Sequence, residues 1–104
     1  MPYRTSPEVT RRFTVSPARQ SHILDGDRTG GGHRFAAGRG KSEFPQTWSD
    51  EFIINTIEDV ANDPASTHIK GRGDYVRFIA MRNFVSITVV VDVVNADIIT
   101  GYPT

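Results

Sequence analysis

Positions 85 to 92 set the strongest constraint on how this chain folds. Val85, Ile87, Val89 and Val91 alternate there with Ser86, Thr88 and Val90. A period of two held over that length fits a β-strand with one buried face, not a helix. Two neighbouring stretches extend the pattern. Residues 75–81 put Val76, Phe78 and Ala80 on one face, and residues 98–102 supply a closing strand. The connections at Arg82-Asn83 and at Asn95-Ala96-Asp97 are short enough for hairpins, which predicts an antiparallel meander. Residues 65–74 read as a polar loop, with Arg72-Gly73-Asp74 more naturally a turn than an adhesion tripeptide.

The N-terminal half is different. Ser16-Pro17 places a cap and a first-turn proline ahead of a short helix reaching Leu24, with His22 in its last turn and Asp25-Gly26-Asp27 stopping it. Residues 11–15 read as a short edge strand after an irregular start. Ser49, followed by Asp50 and Glu51, opens a second helix with Phe52, Ile53, Ile57, Val60 and Ala61 on one face, ended by Asn62-Asp63-Pro64. Helices followed by an antiparallel sheet make the fold class α+β. At 104 residues one domain is expected. Residues 1–19 read as a segment partly belonging to it, and residues 20–104 as its body.

Between the two helices lies a long loop holding Gly26, Gly30, Gly31, Gly32, Gly38 and Gly40, with His33 inside it. Glycine lets a ligand come close to the main chain, and so long a loop in so small a domain points to a use. The charge is also uneven. Residues 1–41 hold eight basic groups and three acidic ones, whereas residues 42–104 hold four and nine. The two parts therefore carry +5 and −5 within a chain of net charge zero. A basic face for a polyanion accounts for this, and so does simple pairing of the two parts on folding. With no cysteine, disulfides, thiolate metal sites and a cysteine nucleophile are excluded. No apolar run reads as a signal peptide or is long enough to span a bilayer.

His22 and His33 are the residues that most invite chemistry. Imidazole titrates near neutrality, so one ring serves as base while another serves as acid. Cleavage of RNA by its own 2′-hydroxyl needs such a pair, together with donors for the phosphoryl oxygens, and it needs no metal or other cofactor. Two histidines also suit a metal, but no third ligand stands at a telling spacing. His68 reads as exposed, and Trp48 as a packing anchor.

Four blocks resemble the bacterial EndoU nuclease family. They are His22-Ile23-Leu24-Asp25-Gly26-Asp27, Gly30-Gly31-Gly32-His33-Arg34, Lys41-Ser42-Glu43-Phe44-Pro45-Gln46-Thr47-Trp48-Ser49, and Ile98-Ile99-Thr100-Gly101-Tyr102-Pro103-Thr104. The resemblance implies a ribonuclease-A-like fold and metal-independent RNA cleavage, of tRNA in some members, leaving a 2′,3′-cyclic phosphate. It implies a toxin domain of contact-dependent inhibition or related polymorphic toxins, secreted or delivered from the cell surface. Such a domain acts in the target-cell cytoplasm and is neutralised by a cognate immunity protein. It also implies catalytic roles for His22, His33 and Thr100, with His33 the base and His22 the acid, an order the sequence alone leaves open. Tyr102 matches the aromatic position that packs on the base or ribose, and Arg34 and Lys41 are expected to bind substrate.

Two departures accompany the resemblance. Residues 71–104 lack the lysine that related viral and eukaryotic enzymes carry, so that the positive charge either comes from Arg34, Lys41 or Arg82 or is absent, as in other bacterial members. The turn Arg82-Asn83-Phe84 also stands where the family commonly has a glycine. The competing readings are a non-catalytic RNA- or DNA-binding module, a protein-interaction domain and a metal-dependent nuclease.

Overall fold

The computed structural model describes residues 11–104; the expected irregular start over residues 1–10 lies outside them. Two helices, α1 (Pro17–Leu24) and α2 (Asp50–Asn62), are followed by four strands: β1 (Thr67–Lys70), β2 (Tyr75–Arg82), β3 (Val85–Asp92) and β4 (Asp97–Pro103). The strands pair antiparallel in the order β1-β2-β3-β4. The class is α+β, with two helices packed on a four-stranded antiparallel sheet.

Both helices start where the capping chemistry places them. The Ser16 hydroxyl accepts from the Arg19 N–H and the Ser49 hydroxyl from the Phe52 N–H, each satisfying a donor the helix leaves over. Along α2 the buried face is Ile53, Ile54, Thr56, Ile57, Val60 and Ala61. Phe52, expected on that face, lies at its rim, 39% exposed, with its ring perpendicular to that of Trp48. Trp48 stacks in turn on the fully buried Phe44. The core forms where Ile53, Ile57 and Val60 meet Ile87, Val89, Val91 and Ile98, all fully buried. Gly101 belongs to this contact, because a Cβ there would come within 2.8 Å of the Ile57 side chain.

The polar loop expected over residues 65–74 is only partly a loop. Thr67–Lys70 forms β1, an edge strand with all four side chains exposed, and His68 pairs opposite Phe78. With no buried face it carries no apolar alternation. The edge strand expected over residues 11–15 is instead a single bridge from Thr14 to Asp97. Side chains of α2 hold this segment: Asn62 accepts from the Phe13 N–H and donates to the Phe13 carbonyl, and Glu58 accepts from the Val15 N–H.

One irregularity in β4 decides which residues face outward. Val90 pairs with Thr100 but Val91 pairs with Ile98, so Ile99 is an extra residue between them, a β-bulge. Below it Ile98 points into the core. Above it Gly101 and Pro103 are buried, and Thr100 and Tyr102 share the opposite face. Without the inserted residue Thr100 would point the way Ile98 does.

Candidate active site

The loop after α1 folds back onto the end of that helix. The N–H groups of Gly32, His33 and Arg34 donate to the carbonyls of His22, Ile23 and Leu24 at 3.0, 2.7 and 3.1 Å. These are helix carbonyls that have no partner within the helix. The reversal needs glycine at position 31, where φ is +78° and a Cβ would collide with the His22 carbonyl. His22 and His33, eleven positions apart, are thereby fixed side by side.

They line an open cleft of about 380 Å³ together with Thr29, Gly30, Gly31, Lys41, Ser42, Thr100 and Tyr102. The structure thus gathers five of the six residues expected at the site. Arg34 is the sixth, and its guanidinium is held elsewhere. One terminal nitrogen lies 3.2 Å from Asp25, and Nε lies 3.1 Å from Asp50 but off its N–H direction. Arg82 is committed to Asp59 of α2 and to Asp63, the residue that caps that helix, at 2.9 and 2.7 Å. Of the three candidate cations only Lys41 stands at the cleft.

The two imidazoles have different partners. His33 is buried, 6% exposed, and its ring stacks on Tyr102. Its Nδ1 lies 2.7 Å from the Ser42 carbonyl. A carbonyl only accepts, so Nδ1 carries the proton and Nε2 keeps its lone pair. Burial is the main cause that lowers the pKa of His33 below the usual histidine value; the bond to Ser42 opposes it, and the charges of Lys41 and His22 add to it. His22 faces a carboxylate instead, its Nδ1 lying 3.1 Å from Asp27 Oδ1. Asp27 also accepts from the hydroxyl and the N–H of Thr29. These bonds, with the one to His22, hold its pKa at about 2. The ionised carboxylate accepts a hydrogen bond from the Nδ1–H and leaves Nε2 of His22 as the second exchangeable position.

Thr100 contributes a hydroxyl that is buried and has no hydrogen-bond partner. An orphaned polar atom of this kind costs free energy unless a ligand completes it, and this one lines the cleft. Among the described residues no group of three or more His, Asp or Glu side chains is placed to hold a metal ion. No helix among them is long and apolar enough to cross a membrane.

The sequence does not single out Thr29, the Ser42 carbonyl or the contact of Asp27 with His22. The triplet Asp27-Arg28-Thr29 has the form of an ordinary Asx turn, and no pattern marks a backbone carbonyl. The uneven charge resolves partly into pairing: Arg11 lies against Glu58 and Asp59, Arg19 against Asp97, and Arg34 reaches Asp50.

No curated protein and no solved structure gives a significant match to the chain. A sequence model of the bacterial EndoU nuclease matches residues 34–104, a segment that holds Lys41, Thr100 and Tyr102 and begins one residue after His33. With more than half of its length inside that match, the chain belongs to the bacterial EndoU nuclease family.

Proposed function

We propose that the domain is a metal-independent endoribonuclease in which His33 is the general base and His22 the general acid. The observation that carries this is the contrast between their partners. A carbonyl on Nδ1 and burial keep His33 neutral with a free Nε2 lone pair. On His22 the partner of Nδ1 is instead an ionised carboxylate, which accepts from the ring N–H and fixes the ring's orientation. Two imidazoles at one cleft, held by partners of different kinds, suit a division of acid and base work.

The reaction follows from these positions. Nε2 of His33 takes the proton of the ribose 2′-hydroxyl as O2′ bonds to phosphorus. The bond from phosphorus to O5′ breaks, and the Nε2 proton of His22 passes to the departing oxygen. The products are a 2′,3′-cyclic phosphate and a 5′-hydroxyl. The unpartnered Thr100 hydroxyl and the Lys41 ammonium serve the phosphoryl oxygens as charge builds on them. Tyr102 packs against the base or ribose.

The resemblance also supports the wider setting: a ribonuclease-A-like toxin domain, delivered from a producing cell, active on RNA such as tRNA in the target cytoplasm and blocked by an immunity protein. The direct test is cleavage of bacterial RNA in EDTA by the wild type and by His33→Ala. Cutting by the wild type alone, with cyclic phosphate ends, supports the proposal. Cleavage abolished by EDTA removes the metal-free mechanism. RNA bound but never cut makes the domain a binding module.

A further inference from the structure

A second groove, of about 260 Å³, runs from the cleft across the outer face of the sheet. Gly71, Arg72, Tyr75, Arg77, Val90 and Tyr102 line it, and Tyr102 also lines the cleft. The registers place Thr100 opposite Val90 and Val90 opposite Arg77, so the three stand in a row across β4, β3 and β2. Two strand spacings separate the ends of that row, about 10 Å. That is a step of about one or two nucleotides along a single strand.

The groove has the makings of an RNA surface. No carboxylate lines it, and neither Arg72 nor Arg77 forms an ion pair among the described residues. This sets them apart from Arg11, Arg19, Arg34 and Arg82, all held by acids. Tyr75 is 40% exposed and offers a ring at the groove, as Tyr102 does at the other end. Cations interleaved with aromatic rings are what a single strand requires, charge for its phosphates and flat surfaces for its bases. The turn is also braced: the Gly71 N–H donates to the Tyr75 carbonyl, the Tyr75 N–H to the Arg72 carbonyl, and the Lys70 ammonium to the Gly73 carbonyl. Arg72 is therefore presented from a fixed backbone.

We propose that this groove is a subsite for the RNA beyond the scissile step, with Arg72 and Arg77 holding a flanking phosphate and Tyr75 stacking a flanking base. It rests on the endoribonuclease reading for the direction of the strand but makes a separate claim about binding. Neither arginine touches the reacting atoms. Their contribution is confined to substrates long enough to reach them.

The test uses a dinucleotide and a pentanucleotide, each also made with a 2′-deoxy sugar at the scissile position so that it binds without being cut. The proteins are wild type, Tyr75→Ala, Arg77→Lys and the double variant Arg72→Ala/Arg77→Ala. The double variant is expected to lose about tenfold in kcat/KM and in affinity for the pentanucleotide, the scale of a charge-assisted bond or two. The dinucleotide is expected to be unaffected. Arg77→Lys retains part of the advantage, and the salt slope of pentanucleotide binding falls by about 0.7 for each phosphate that the double variant leaves unneutralised. Equal behaviour of wild type and double variant on the pentanucleotide overturns the subsite while cleavage continues. Equal loss on both substrates also overturns it, because the arginines then act on the fold or the chemistry. Arginine-dependent binding of the longer analogue by a protein that cuts nothing leaves the groove standing and removes the nuclease reading instead.

Discussion

The imidazole of His33 lies on the ring of Tyr102, with centroids 5.5 Å apart and planes 30° from parallel. Tyr102 is thus part of the wall that keeps water from this imidazole. Because burial is the leading cause of the lowered His33 pKa, kcat/KM is expected to rise with pH through an ionisation below 6.5. Tyr102→Ala opens the ring to water and moves that midpoint upward. A pH–rate profile of both proteins decides the matter, and an unmoved midpoint would separate Tyr102 from the tuning of His33.

The same shift has a stability counterpart. Below the usual histidine value of 6.5 the unfolded chain takes up a proton that folded His33 still refuses. The contribution of His33 is therefore complete above that pH and declines as the pH falls from it toward the lower folded-state value. Thermal melts of wild type and His33→Gln between pH 7 and pH 5 are expected to converge on acidification. Parallel curves would contradict the assignment.

Thr100→Val separates function from stability. The wild-type hydroxyl has no partner, so an isosteric methyl group breaks no hydrogen bond in the free protein. The melting temperature is expected to hold or rise while kcat/KM falls roughly tenfold to a hundredfold. Thr100→Ser retains most activity. A fall in both properties for Thr100→Val would mean that the hydroxyl supports the fold instead.

Asp27→Asn removes the charge beside His22 and leaves a side chain of the same shape. On the proposed mechanism a loss of about tenfold to a hundredfold is expected, carried by kcat rather than KM, because His22 loses the carboxylate that orients its ring. A change confined to KM would place Asp27 in substrate binding.

The β2–β3 turn offers a gain. Asn83 and Phe84 take φ of 49° and 67°, the left-handed pair of a two-residue hairpin, and Phe84 is 98% exposed. A phenylalanine in that conformation carries about 1–2 kcal/mol of backbone strain and buries nothing in return. Phe84→Gly is expected to raise the melting temperature by several degrees with activity unchanged.

The ends of α1 and α2 were legible because their signals are local. Ser16-Pro17 and Ser49-Asp50 carry the start of a helix within a few residues. Strand β3 was legible because its alternation is long and one face is buried. Strand β1 was not, since four exposed residues leave no such trace and owe their conformation to β2. The bulge at Ile99 exists only relative to β3, so no reading of β4 alone finds it. At the site, His22, His33, Thr100 and Tyr102 stood out through family resemblance, and Lys41 reached the cleft with them. Arg34 shared the same block of sequence but is drawn off by Asp25 and Asp50, a competition that appears only in three dimensions.

The seam joining Gly32, His33 and Arg34 to the end of α1 is made wholly of main-chain atoms. Neither imidazole takes part in it, so exchanging one histidine leaves the scaffold around the other in place. On the proposed chemistry, a form with one histidine replaced is therefore a decoy that keeps the main-chain frame of the native cleft. It can be loaded with intact RNA and used as bait for whatever the active form recognises, without destroying its own cargo.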